Sequence, residues 1–212
     1  MTASSLMTRH FHPEEISFNF KQAYNFLKIR PASDKFDRMH EMVARLRAQF
    51  QSAFAPRYRY AVYRVIDTDF ASYRVFLEED TSFIGSGIYR LLRDSHYAAV
   101  FLLTVGGEID AAVARLTADD FTEAYFLDGV AAAMTHGLLQ VLKRDLQNEA
   151  GQRRCRLAQR FSPGYMHWDL PEQEKIFHLL KGEEIGITLS EAYVMAPQKS
   201  LSGVFGFKAQ KE

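Results

Sequence analysis

The run Ala98-Ala-Val-Phe-Leu-Leu-Thr104 carries no charge, glycine or proline, and its length and continuous apolar character read as a buried strand. Everything around it can be placed relative to that strand. Upstream, Ile84, Ile88, Leu91 and Leu92 share one helical face, and before them the alternation of Tyr58, Tyr60 and Val62 predicts a strand over 57–66, with another over 74–77. Earlier still, Ile16, Phe20, Ala23, Phe26 and Leu27 predict a helix over 13–29 that stops before Arg30-Pro31. A second helix is expected after Ser33-Asp34, a candidate N-cap, with Phe36, Met39, Val43, Leu46 and Phe50 on one side.

Downstream, Val105-Gly106-Gly107 turns the chain into a helix carrying Ile109, Val113 and Leu116. A longer helix over 120–146 places Phe121, Ala124, Tyr125, Ala131, Ala132, Leu138, Leu139 and Leu142 inward. Asp128 falls on that stripe, where a carboxylate needs partners because a bare buried charge is costly. Residues 150–156 are polar and read as a loop, and Phe161-Ser162-Pro163-Gly164-Tyr165 is rich in turn formers. Asp169-Leu170-Pro171-Glu172 announces a helix that Gly182 ends. Ile185, Ile187 and Leu189 alternate as a strand, and 201–207 supplies a final strand punctuated by glycine. Helices and strands mixed without strict β-α-β alternation predict an α+β fold with a largely antiparallel sheet flanked by helices. The expected organisation is an N-terminal helical segment over 1–56 packing on a main domain over 57–212.

Composition narrows the function. Lys+Arg and Asp+Glu both total 26, so there is no basic excess of the kind nucleic-acid binding usually leaves, and no nucleic-acid partner is expected. No apolar run approaches the ~20 residues that cross a bilayer, which argues against a membrane protein. The single cysteine, Cys155, rules out an intramolecular disulfide, thiolate-rich zinc sites and cysteine-ligated iron–sulfur clusters within the chain. Residues 1–12 lack the apolar core and cleavage site of a secretory signal, so the cytoplasm is the expected location.

Generic catalytic motifs are absent from the sequence: there is no HExxH, GxSxG, P-loop or GxGxxG after a strand. The seven histidines are scattered, His10 and His12 in an N-terminus expected to be mobile, and no metal site is assigned. Asp94-Ser-His96-Tyr-Ala-Ala99 approaches the Asp-x-His-x-x-Gly pattern by which many corrinoid proteins offer histidine to cobalt, but alanine replaces the glycine and a solvent-facing turn is the better reading. The informative segment is Arg160-Phe-Ser162-Pro163-Gly164-Tyr165. Glycine beside tyrosine after proline lets backbone groups approach a ligand closely, and the arginine offers a planar fork to a carboxylate. Taken alone, the pattern equally allows Arg160 to pair with an internal acid while the turn merely links two elements.

Its company is more specific. Arg160-x-Ser-Pro-Gly-Tyr165 is followed by Asp169-x-x-Glu-Gln-x-Lys-Ile176-Phe, then Ile185-Gly-Ile-x-Leu-Ser-Glu191-Ala-Tyr193-x-Met195-x-Pro197, then Ser200-Leu-Ser-Gly203. This succession resembles the C-terminal activation domain of cobalamin-dependent methionine synthase. Ile84-Gly-Ser-Gly-Ile88, Leu103-Thr-Val-Gly-Gly-Glu-Ile-Asp110 and Phe126-Leu-Asp128-Gly extend the likeness, toward free-standing bacterial members of that family, over roughly residues 57–207. The resemblance implies a C-shaped fold with a twisted sheet and a site for S-adenosylmethionine marked by RxxxGY. In that site Arg160 would meet the ligand's carboxylate, Ser162 and Gly164 would act through backbone groups with Pro163 between them, and Tyr165 would wall the pocket. Glu191 and Tyr193, from the neighbouring family motif, would support it.

No catalytic residue is implied, because the family's task is to hold a methyl group in line with a reduced cobalt. Trapping each Co(I) as methyl-cobalt pulls an unfavourable reduction forward, about 59 mV being offset for each tenfold in population. The resemblance therefore implies a methyltransferase component that reactivates methionine synthase, with cobalamin carried by a corrinoid-binding partner and electrons from an external low-potential donor. Two departures stand out: Ala132 lies at about the position of a glutamate in the full-length enzymes, and the N-terminal acid that contacts the ligand's amino group there has no counterpart, which implies that a partner completes the site. The substituted Ala132 favours an alternative, a non-catalytic docking or regulatory subunit for a corrinoid protein. An unrelated Rossmann-type methyltransferase is disfavoured, since no glycine-rich loop follows an early strand.

Overall fold

The computed structural model describes residues 5–30 and 35–210. Its elements in chain order are β1 (Met7–His10), α1 (Phe20–Phe26), α2 (Phe36–Gln49), β2 (Arg57–Asp69), β3 (Arg74–Leu77), β4 (Thr81–Ile84), α3 (Ser86–Leu92), β5 (Ser95–Thr104), α4 (Glu108–Asp119), α5 (Phe121–Gln152), β6 (Cys155–Phe161), α6 (Gln173–Leu180), β7 (Thr188–Leu189), β8 (Met195–Ala196) and β9 (Ser200–Ala209). The main sheet runs β4-β3-β2-β5-β9-β6, with β1 added beside the first half of β2, and every pairing in it is antiparallel. The fold is therefore α+β, as expected.

β5 explains its own sequence. Ala99, Phe101 and Leu103 face a core shared with α5, while Ala98, Val100 and Leu102 face a second core with α3, α6 and Trp168. Both faces are covered, so residues 98–103 are apolar at either parity, and the buried hydroxyls of Ser95 and Thr104 at the strand's ends are hydrogen-bonded. The 32-residue α5 is the backbone of the first core, burying Leu127, Val130, Ala131, Met134, Leu138, Leu142 and Leu146. Residues of α1 and α2 pack into the same core, and Gly129 lets α1 come close, since a Cβ there would sit 2.4 Å from Leu27 Cγ.

Several expectations are corrected. Met7–His10, in a terminus expected to be mobile, form a strand, β1, and Arg9 ties it to Asp145 of α5 at 2.6 Å. The helix expected over 13–29 is a 3-10 turn at Pro13–Glu15, an extended stretch, and then α1, because Asn19 caps α1 by accepting from the Lys21 and Gln22 amides. The candidate cap Ser33-Asp34 lies outside the described residues. Ile84 belongs to β4, not to the helix after it. Phe121 is 72% exposed and Tyr125 is also exposed, because Asp120 starts α5 a turn beyond the core; Asp128 is half-exposed and paired to Lys199. α5 runs on to Gln152, so most of the loop expected at 150–156 is helix end and strand start. Asp169 makes no side-chain cap, and Ile185 closes a 3-10 turn after Lys181 takes a left-handed φ of 49°.

Candidate functional site

Arg160 and Phe161 close β6, the edge strand of the sheet, just after a bulge between Leu157 and Arg160 in its pairing with β9. Bulges re-aim side chains. Arg160 faces α5, and Phe161 faces the second core, where it packs near Trp168. Arg160 lines a cleft of about 290 Å³ together with Ala132, Thr135, His136 and Leu139 of α5, Phe26 of α1, and Gln198 to Leu201 at the start of β9. No acid meets it. Its Nη1 is buried with no hydrogen-bond partner among the described residues, and burial lowers its pKa, an effect that the nearby Tyr165 opposes. A guanidinium left partly unpaired in a cleft is a carboxylate receptor by its chemistry.

The turn that follows is held from beneath. Ser162 Oγ donates to the Ser202 carbonyl at 2.7 Å, and the Gly164 amide donates to the Trp168 carbonyl at 2.7 Å. Trp168 is only 1% exposed, packed on Phe83 and Phe161, so it anchors the turn, although its Nε1 has no partner among the described residues. Gly164 has φ +86°, and Met166 and His167 also take positive φ, a run of strained backbone of the kind that clusters at ligand sites. Tyr165 and Met166 are about 70% exposed at the tip. Gly203 lets β9 pass under the segment, because a Cβ there would lie 2.4 Å from the Phe161 carbonyl oxygen.

A polar relay joins this turn to the later motif. Ser202 Oγ donates to Gln173 Oε1 at 2.8 Å, and the buried Gln173 donates through Nε2 to the Tyr193 carbonyl at 3.1 Å. Tyr193 thus enters through its backbone, at φ 59°, within a turn closed by Ser190. Glu191 is exposed and lines a separate groove with Glu174, Phe177 and His178, so it is not brought together with Arg160.

Two residues of the Arg160 cleft, His136 and Lys199, were not singled out from sequence. His136 stands one helical turn past Ala132, which is one turn past Asp128, so the three share a face of α5. Burial, then the Arg160 charge, lowers the His136 pKa and favours the neutral imidazole. Lys199 lines the cleft and binds Asp128 at 2.6 Å, leaving that carboxylate occupied. The spacing 128, 132, 136 was readable; the arrival of Lys199 was not. His96, the near-corrinoid histidine, is exposed at a bulge in β5, and Asp94 pairs weakly with Arg93 and Lys208. Among the described residues no three His, Cys, Asp or Glu side chains are grouped to hold a metal, and no helix is long and apolar enough to cross a membrane.

Residues 91–212 match the model of the family described as vitamin B12 dependent methionine synthase, activation domain. Among curated proteins none matches the chain. Among solved structures, the crystal structure of the MetH reactivation domain bound to AdoHcy is similar with a TM-score of 0.75 at 14% identity, over 99% of this chain and 80% of that one. At that identity the likeness concerns the fold, and it extends to the N-terminal strand and helices that the family match leaves out.

Proposed function

The chain belongs to the vitamin B12-dependent methionine synthase activation-domain family, and on that premise we propose that it binds S-adenosylmethionine beside Arg160 and acts in trans to reactivate a corrinoid methyltransferase, methionine synthase. The observation that carries this is the unpaired, buried Nη1 of Arg160 facing a cleft of about 290 Å³. An orphaned donor of this kind costs about 1–3 kcal/mol, more when charged, and a ligand carboxylate removes that penalty. The MetH domain of similar fold holds AdoHcy, the demethylated form of the same ligand.

When bound, S-adenosylmethionine supplies a methyl group on a sulfonium to the cobalt of a corrinoid carried by the partner, which receives its electron from a separate low-potential donor. This chain's residues bind and orient. Arg160 holds the carboxylate, the amides and carbonyls around Ser162, Pro163 and Gly164 line the ligand's flank, and Tyr165 stands at the exposed tip where a partner would arrive. His136, kept neutral, adds a wall without a second fixed charge, and Tyr193 supports the turn through Gln173 and Ser202. Glu191 belongs to this reading only through the turn it shares with Tyr193. Residues 1–56 act as a segment packed on the 57–212 domain, contributing Phe26 to the cleft. The buried free thiol of Cys155 suits a reducing cytoplasm.

A second reading, a docking subunit that recognises a corrinoid protein without using the ligand, is favoured by one feature: Ala132 offers no carboxylate to a ligand ammonium, and Asp128 is engaged by Lys199. Calorimetry with S-adenosylmethionine on the wild type and Arg160→Ala separates the two. Binding lost in the variant supports the first; no binding to folded wild type, alone or with a corrinoid partner, leaves the second. Conversion of a partner's Co(II) to methyl-Co(III) under a reductant, only with this protein present, tests the reactivation step.

A further inference from the structure

Strand β6 also borders a second cavity, on the side away from Arg160. Arg156 and Ala158 of that strand, Arg90 and Leu91 of α3, His167, and Lys208 of β9 bound a cleft of about 490 Å³. Arg156 and Lys208 are direct cross-strand partners in the β6–β9 register. Their side chains therefore share one face of the sheet with Cβ atoms about 5 Å apart, an arrangement in which like charges repel. Arg90 and Arg156 make no ion pair or hydrogen bond among the described residues. Lys208 reaches Asp94 only at 3.6 Å, and that carboxylate is shared with Arg93 at 3.5 Å. In a chain with equal numbers of acids and bases, three basic side chains thus converge on one concavity with little among the described residues to neutralise them.

The geometry points to a binding site for a phosphate ester of a flat or apolar organic group, the nucleoside monophosphate class. Two guanidinium forks and an ammonium match the several oxygens and double charge of a phosphomonoester. Leu91, Ala158 and the Phe161 ring supply an apolar floor for the rest of the molecule, and the volume lies in the range of small-ligand sites. A concave site of this size suits a small molecule better than the flat surface of an acidic protein. Its charge also separates it from the Arg160 cleft, since a sulfonium cation gains nothing among three cations.

The test is titration calorimetry with AMP, with adenosine and inorganic phosphate as partial probes. AMP is expected to bind, phosphate to bind more weakly and adenosine to show no heat. The double variant Arg90→Gln/Arg156→Gln should weaken AMP at least about tenfold, as loss of charge-assisted hydrogen bonds to phosphate requires. Arg115→Gln, on the exposed face of α4, controls for general surface charge and should leave AMP binding unchanged. Arg160→Ala should also leave it unchanged, so the outcome is independent of the sulfonium site. No binding of AMP at millimolar concentration, equal binding of adenosine, or binding that survives the double variant overturns the assignment.

Discussion

Lys199 Nζ lies 2.6 Å from Asp128 Oδ1, and through that contact the loop before β9 is fastened to the face of α5 that borders the Arg160 cleft. Lys199 is mostly buried and Asp128 half-exposed. Solvent screening at the carboxylate limits what the pair contributes, so Lys199→Met should lower stability by less than about 1 kcal/mol, read as a small drop in the urea midpoint that shrinks in high salt. Its effect on S-adenosylmethionine affinity should be larger, because the variant reshapes one wall of the cleft and frees a carboxylate there.

Arg160→Met separates binding from folding. The side chain keeps its apolar stem while the unpaired buried donor disappears, so the unfolding free energy from urea titration should stay level or rise, by up to about 1 kcal/mol. Ligand binding should be lost in the same protein. A clear fall in stability would mean that the guanidinium holds the fold together and would count against a receptor role.

Gly203→Ala should destabilise by about 1–3 kcal/mol, the usual cost of forcing an atom into a filled interior. The added methyl would meet the Phe161 carbonyl oxygen at 2.4 Å, the Phe101 ring at 3.0 Å and Ser162 Oγ at 3.0 Å, and the first of these is backbone that cannot swing aside. Equilibrium urea unfolding gives the value, and the loss of the Ser162 to Ser202 hydrogen bond should reduce ligand affinity further.

His136 predicts a pH effect of definite sign. Its folded pKa lies below the ordinary 6.5 because burial and then Arg160 disfavour the imidazolium, so at mildly acidic pH the unfolded chain holds more protons than the folded one. The stability tied to the neutral ring is complete above pH 6.5 and is lost as pH falls through the depressed folded value. Urea midpoints measured from neutral to mildly acidic pH should fall more steeply in wild type than in His136→Gln.

The layered core was legible because its signals are local. An uncharged run such as 98–104 announces a strand covered on both sides, and helical spacing found α2 and most of α5. Strands of two to four residues, β1, β4 and β8, carry no such period, and their formation depends on a neighbouring edge being open. Phe121 misled because its spacing fits the stripe while its position, one residue past the cap, lies beyond the core. The turn at 160–165 was visible as an ordered motif, but the contacts that give it meaning cross long stretches of chain. Gln173 linking Ser202 to Tyr193, and Lys199 reaching Asp128, need the fold itself. Equal totals of acid and base likewise hid the gathering of Arg90, Arg156 and Lys208.

Trp168 is the chain's only tryptophan, and it lies under the turn that Arg160 opens, sealed between Phe83 and Phe161 with its carbonyl holding Gly164. An intrinsic optical probe therefore lies directly beneath the turn proposed to hold the ligand. Indole emission should be blue-shifted in the native protein, and any ligand or partner that tightens or loosens the loop above it alters that signal without a label being attached.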